Sequence, residues 1–242
     1  MAINFGNVAG LTIPQGIAVK IEQGGNVIWQ KSKLPTIYQQ VKYISATSGN
    51  GAYIDLGIQY AHGCNFEIGW VYTGDTLYIF GANDATGNYR CMLSGHYGGV
   101  MGSTYYITNS SGHFAAMNYP KTDTTVGKLM NQKVIVKPGV STSSVKDIDS
   151  GETLVLPSSA DTGDYTISNN LYLLGQNYKG EYRGNGLKQI TYFKYADNDN
   201  NLLRDMIPCY RKSDNVIGMF DLVSQTFFTN AGTGVFTVGE DV

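Results

Sequence analysis

At 242 residues the chain is long enough for one large β domain and a small appendage. Only 15% of it is charged and the formal net charge is −2, which excludes an electrostatic nucleic-acid binder, since that needs a basic face. No apolar run is long enough to insert in a membrane, and the three widely spaced cysteines, Cys64, Cys91 and Cys209, show no zinc-type spacing and read as buried free thiols.

Residues 1–33 read as a separate β module with its linker. Residues 18–22 (AVKIE) alternate apolar and polar, residues 23–26 (QGGN) turn, and residues 27–30 (VIWQ) answer as a second strand. A lone hairpin of this size is marginal in water, so it must pack on the main domain or on a partner. Trp29 is the candidate anchor of an attachment or oligomerisation element; the alternative is that it caps the core of the main domain. The first five residues carry no charged stretch followed by an apolar core. We therefore expect no signal peptide and folding in a reducing cytoplasm.

Residues 34–242 read as one all-β domain. From Tyr38 onward the period is two, and strands are predicted at 53–57, 66–72, 76–81, 89–93, 99–103, 105–108, 113–117, 133–137, 153–156, 170–175 and 187–195. Gly-, Asn- and Ser-rich turns separate them, and 30 glycines suit so many turns. Residues 141–169 are rich in Ser, Thr, Asp and Gly and read as a long connection with one strand in it, or as a binding loop. Helical spacing is nowhere sustained over three turns. Short strands at about ten-residue intervals point to a two-sheet antiparallel β-sandwich or jelly roll.

The closing stretch, 202–239, alternates short strands with turns: 216–222, 226–229 and 235–238, broken at 223–225 and at 230–234. The string RDMIPCYRKSDNVIGMFDLVSQTFFTNAGTG within it resembles the closing segment of LamG-like (concanavalin-A-like) jelly-roll domains in proteins of tailed bacteriophages and prophages. Arg204-Asp205, Ile207-Pro208, Arg211-Lys212, residues 218–221 (GMFD) and residues 229–234 (TNAGTG) carry the resemblance in order and spacing. Residues 38–44 (YQQVKYI) and 53–57 (YIDLG) resemble the opening strands of the same family. Residues 3–14 (INFGNVAGLTIP) and 19–30 (VKIEQGGNVIWQ) resemble short N-terminal segments of phage tail-associated proteins. The resemblance implies a virion protein, made in the host cytoplasm, that joins other virion proteins through residues 1–33. It further implies a homo-oligomer that attaches to host-surface glycan. It also allows calcium, for which no ligand set can be placed.

Enzyme chemistry finds little support. Glycosidases need two carboxylates flanking the bond, and the strand at 66–72 offers Glu67 alone. His62, His96 and His113 sit in Gly/Ser-rich stretches without a nucleophile elbow. Asp197, Asp199 and Asn201 are spaced like the first ligands of a calcium loop, but Leu202 and Pro208 stand where that loop needs Gly and Glu, so a polar turn is the better reading. Sugar binding needs an aromatic platform for C–H faces and polar groups for hydroxyls. Those residue types occur at Tyr89, Arg90, His96, Tyr97, Tyr105, Tyr106, Tyr119, Tyr178 and Tyr182, the last followed by Arg183. The 18 tyrosines also suit strand filling. Arg204, Asp205 and Asp221 are candidate structural braces: an aspartate in an apolar strand must find a partner, and Arg204, Arg211 and Lys212 are available.

The expectation is therefore a non-enzymatic, tail-associated or fibre-like adhesin. A head or tail decoration protein without a glycan site is the first alternative. A polysaccharide depolymerase lacks the acid motif, and a prophage-encoded bacterial surface protein lacks the expected export signal.

Overall fold

The structure, a computed structural model, describes residues 20–23, 26–30, 34–47, 49, 51–61, 63–71, 73, 78–97, 100–108, 114–118, 126–136, 143–155 and 166–242. Residues 20–23, 26–30, 96–97, 100–108 and 114–118 are described through their strand pairing alone. The chain divides into two compact units, Met1–Pro35 and Thr36–Val242. In the first, β1 (Lys20–Gln23) and β2 (Asn26–Gln30) form an antiparallel hairpin with Trp29 opposite Ile21.

In the second unit the strands run in chain order as β3 (Tyr38–Gln40), β4 (Ile44–Ala46), β5 (Ile54–Ala61), β6 (Asn65–Val71), β7 (Phe80–Asn83), β8 (Arg90–Tyr97), β9 (Val100–Thr108), β10 (Phe114–Asn118), β11 (Leu129–Ile135), β12 (Ser144–Asp147) and β13 (Thr153–Val155). They continue as β14 (Thr166–Leu173), β15 (Gln176–Tyr178), β16 (Glu181–Arg183), β17 (Lys188–Ala196), β18 (Leu202–Arg211), β19 (Ile217–Asp221), β20 (Thr226–Thr229) and β21 (Thr237–Val238). Among the described residues there is no helix.

Two sheets make the sandwich. The eight-stranded one has the order β10-β9-β8-β7-β14-β5, with the β15–β16 hairpin joined to β7. The eleven-stranded one has the order β13-β12-β11-β6-β17-β18-β19-β20, with β3 on β18, β4 on β17 and β21 on β4. The fold is thus an all-β, two-sheet sandwich of the jelly-roll type, and consecutive strands such as β5, β6 and β7 alternate between sheets.

The period-two pattern puts one face of each sheet inward. In β6, Phe66, Ile68 and Trp70 are buried while Glu67 faces out; in β7, Phe80 and Ala82 join the core. Phe80 bridges the layers, with ring centres 4.9 Å from Phe66 and 5.1 Å from Phe193, both of the other sheet. Trp70 keeps its indole N–H satisfied on Gln132 Oε1 at 3.0 Å. Pro208, which cannot donate, falls between the last β17 pair of β18 at Met206 and its first β3 pair at Cys209.

Several predicted boundaries change. The strands predicted at 99–103 and 105–108 join into one, β9, over its described residues 100–108. Of the strand predicted at 76–81, residues 76–77 lie outside the described residues, Tyr78 holds a left-handed φ of 56°, and β7 begins at Phe80. The connection at 141–169 contains β12 as well as β13. The hairpin β15–β16 was invisible to the pattern, its strands being three residues each.

Candidate functional site

Strand β7 is where the outward face of the eight-stranded sheet becomes unusual. The chain leaves β14 at Leu174, whose φ of 62° reverses it, and returns as β15 alongside β7 in a parallel pair. A two-residue turn, Lys179-Gly180 with φ of 57° and 90°, then starts β16. Asn177 Oδ1 accepts the Gly180 N–H at 3.0 Å and fixes that turn.

Register then lines up two outward rows across four strands. Arg90 pairs with Asn83, Asn83 with Tyr178, and Tyr178 with Glu181. In the next row Met92 pairs with Gly81, and Gln176 with Arg183. Gly81 must lack a side chain: a Cβ there would lie 2.4 Å from the Cys91 carbonyl and 2.6 Å from Met92 Cβ. The result is a cavity of about 160 Å³ lined by Asn83, Arg90, Met92, Gln176, Tyr178 and Arg183, with Tyr78 at its edge.

Its floor is polar and preorganised. Asn83 and Gln176 are 1% and 2% exposed. Gln176 Nε2 donates to Asn83 Oδ1 and to Met92 Sδ, and Asn169 Nδ2 donates to the Asn83 carbonyl at 2.6 Å. No hydrogen bond of the described residues uses Asn83 Nδ2 or Gln176 Oε1, which leaves one amide donor and one amide acceptor unused. The Arg183 guanidinium lies on the Tyr178 ring, 3.4 Å from its centre, and Lys179 Nζ is 5.5 Å from the same centre. Arg90 donates from Nη2 to the Gly87 carbonyl at 3.2 Å, while its Nε is buried without a partner.

Of the sequence candidates, Arg90 and Tyr178 meet in this pocket. Arg183, noted beside Tyr182, joins them; Asn83, Gln176 and Met92 were missed, because only the long-range pairing of β15 with β7 brings them together. Tyr178 is not a bare platform for a sugar face, since Arg183 covers it. Tyr89 packs on the core instead. Tyr182 stacks on Tyr53 (5.1 Å), which stacks on Tyr172 (4.2 Å), and it receives Lys188 Nζ at 3.3 Å. Burial pushes the Tyr182 hydroxyl up to about 12 and the Lys188 ammonium down to about 8.

Tyr105 and Tyr106 lie in a strand, as predicted for 105–108, opposite Leu93 and Met92, and His96 and Tyr97 also lie in a strand, opposite Met101 and Val100. Tyr119, His62 and His113 lie outside the described residues.

A larger cavity, about 310 Å³, lies on the other sheet beside Glu67, Lys133, Lys194, Asn65 and Asn200. Glu67 is held by Lys133 at 3.0 Å and Lys194 at 3.6 Å, and no second carboxylate lines that cleft. Asp197 serves its own turn, accepting from Asp199 N, Asn201 N and Asn201 Nδ2 at 3.0, 2.8 and 2.9 Å, which is the polar turn read from the sequence. Among the described residues no His/Cys/Asp/Glu group could hold a metal ion. Asp221, fully buried, accepts from Asp205 N (2.8 Å), Val223 N (3.1 Å), Ser224 N (3.2 Å) and the Ser224 hydroxyl (2.6 Å), and lies 3.8 Å from Arg204 Nε. Arg211 pairs with Asp214 rather than with Asp221.

The comparisons with known proteins stand apart from this geometry. The chain matches no protein-family model, and no curated protein matches it in sequence.

Proposed function

We propose that the chain is a non-enzymatic, glycan-binding β-sandwich of a tailed-bacteriophage particle, tail-associated or fibre-like, that attaches to the host surface. The observation that carries the binding half is the pocket on the eight-stranded sheet. Two guanidiniums, two buried amides and an aromatic ring converge there on a cavity without a carboxylate in its lining. Such a set holds a polar ligand by hydrogen bonds and has no group for general acid–base cleavage of a glycosidic bond. The phage half rests on the resemblance of residues 204–234 to closing segments of LamG-like domains. One pocket of this size binds weakly, and many copies on a particle would supply avidity. In this reading residues 1–33 join the particle and a homo-oligomer multiplies the sites.

The test is a glycan array probed with the full chain, together with imaging of the chain in purified particles. Binding to a subset of surface glycans without release of reducing ends is expected. No binding to any glycan would leave a decoration role, and release of reducing ends would make the protein a depolymerase.

A further inference from the structure

The charge balance of the pocket is opposite to that of the chain. Overall there are 19 acidic and 17 basic residues. Around this cavity stand Arg90, Lys179 and Arg183, and among the described residues none of the three makes an ion pair. The nearby acids do not neutralise them. Asp84 is engaged by its own loop, accepting from Tyr89 N at 3.1 Å and from the Thr86 hydroxyl at 2.5 Å. Glu181, the register partner of Tyr178, is exposed and forms no ion pair among the described residues.

A guanidinium stacked on a ring has its face occupied and its N–H edge free. That edge matches a planar carboxylate, with two parallel hydrogen bonds. Arg90 lines the same cavity and spends only one hydrogen bond of its guanidinium, from Nη2 to the Gly87 carbonyl, so it brings a second cation with unengaged donors to the site. The free donor of Asn83 and the free acceptor of Gln176 suit a hydroxyl, which both accepts and donates. The volume of about 160 Å³ is below the ~300 Å³ at which drug-sized ligand sites begin, so one sugar unit fits and an oligosaccharide stretch does not.

Building on the glycan-binding reading, we propose that the pocket takes an acidic sugar unit. Arg90 and Arg183 grip its carboxylate, and Asn83 and Gln176 bind a neighbouring hydroxyl. The ligand class is a polysaccharide bearing uronate- or sialate-type residues.

The experiment is an NMR titration of the full chain at physiological salt, following arginine Nε–H signals. One arm uses galacturonate, glucuronate and sialate, a second uses galactose, and a third uses galactose 6-sulfate. At least one acid should shift the Arg90 and Arg183 signals saturably, with at least tenfold higher affinity than galactose and higher affinity than the sulfate. Arg183→Gln, at an exposed position that does not challenge folding, should weaken that binding at least tenfold. Arg183→Lys, which keeps the charge and loses the fork, should weaken it several-fold. Lys146→Gln, an equal charge loss on the other sheet, should leave it unchanged. Equal affinity for galactose and the acids overturns the acidic preference and leaves the glycan reading standing. A stronger response to the sulfate overturns the carboxylate. No saturable shift with any sugar overturns this inference and the glycan reading together.

Discussion

Arg204 and Arg90 are both half-hidden arginines on sandwich strands, and the two are used in opposite ways. Arg204, in β18 of the eleven-stranded sheet, reaches across to β5 of the eight-stranded one. Its Nε and Nη2 donate to the Leu56 carbonyl at 3.2 and 2.8 Å, and its Nη1 donates to the Leu203 carbonyl at 2.8 Å. Asp221 stands 3.8 Å away to balance the charge. Arg90 makes one hydrogen bond, to Gly87, and keeps a buried Nε with none. Residue type and exposure do not separate the two; the number of fixed partners does. A guanidinium with every nitrogen engaged braces the fold, whereas one with unengaged donors beside a cavity is available to a ligand.

The largest effect expected from this contrast is at the brace. Asp221→Ala removes the acceptor of three backbone N–H groups and one hydroxyl and leaves Arg204 without its counter-charge. Loss of one partner from a buried pair costs about 3–5 kcal/mol, and urea denaturation should show a loss in that range. Arg90→Gln gives up a single hydrogen bond, to the Gly87 carbonyl, and should cost no more than about 1 kcal/mol. Comparable destabilisation by both would make Arg90 a second brace and dissolve the distinction.

Lys188 is an intermediate case: a fully buried cation with polar partners and no anion. Its Nζ reaches the Tyr182 hydroxyl at 3.3 Å and the Gly186 carbonyl at 3.4 Å. Burial lowers its folded-state value from 10.5 to about 8. Between those two values the unfolded chain holds the proton that the folded chain has released, so stability rises with pH across that window. Above pH 10 the sign reverses, because burial raises Tyr182 and Tyr192 to about 12 and the unfolded chain ionises its tyrosines first. Lys188→Met should stabilise the protein by on the order of 2 kcal/mol at pH 7 and flatten the rise between pH 8 and 10. Chemical denaturation at a series of pH values checks both. A rise that survives the substitution would assign the pH dependence to another group.

The sandwich was legible because its strands carry their inside and outside in a local alternation. Phe66, Ile68 and Trp70 can be read inward from β6 alone. The candidate site was only half legible. Arg90, Tyr178 and Arg183 have the right chemistry for a polar ligand, but nothing near them in sequence names Asn83 or Gln176 as neighbours. Those join through a parallel pair between Asn177 and Ala82, and such a pairing leaves no local pattern. The aromatic platform expected at Tyr178 turned into a cation stack for the same reason, since Arg183 arrives over the ring through the register of a three-residue hairpin. Partner number, the property that separates Arg204 from Arg90, is purely three-dimensional.

The smallest effect expected is at Glu67. Its cleft, about 310 Å³, is roughly twice the volume of the Arg90 pocket, so if size chose the site a ligand would go there. The charges in it are closed on themselves, Glu67 answering both Lys133 and Lys194. Both lysines are about 40% exposed, where solvent screens ion pairs to under about 1 kcal/mol. Glu67→Gln should therefore cost less than about 1 kcal/mol and leave the arginine response to acidic sugars unchanged. Its informative outcome is a new one: with Glu67 neutral, Lys133 and Lys194 lose their anion and become open cations beside a cavity. Weak acidic-sugar shifts appearing at that cleft only in the variant would show that availability of charge, rather than volume, makes a site on this sandwich. The same shifts already present in the wild-type chain would show that paired cations bind as well as open ones, and the distinction between Arg204 and Arg90 would then carry no functional meaning.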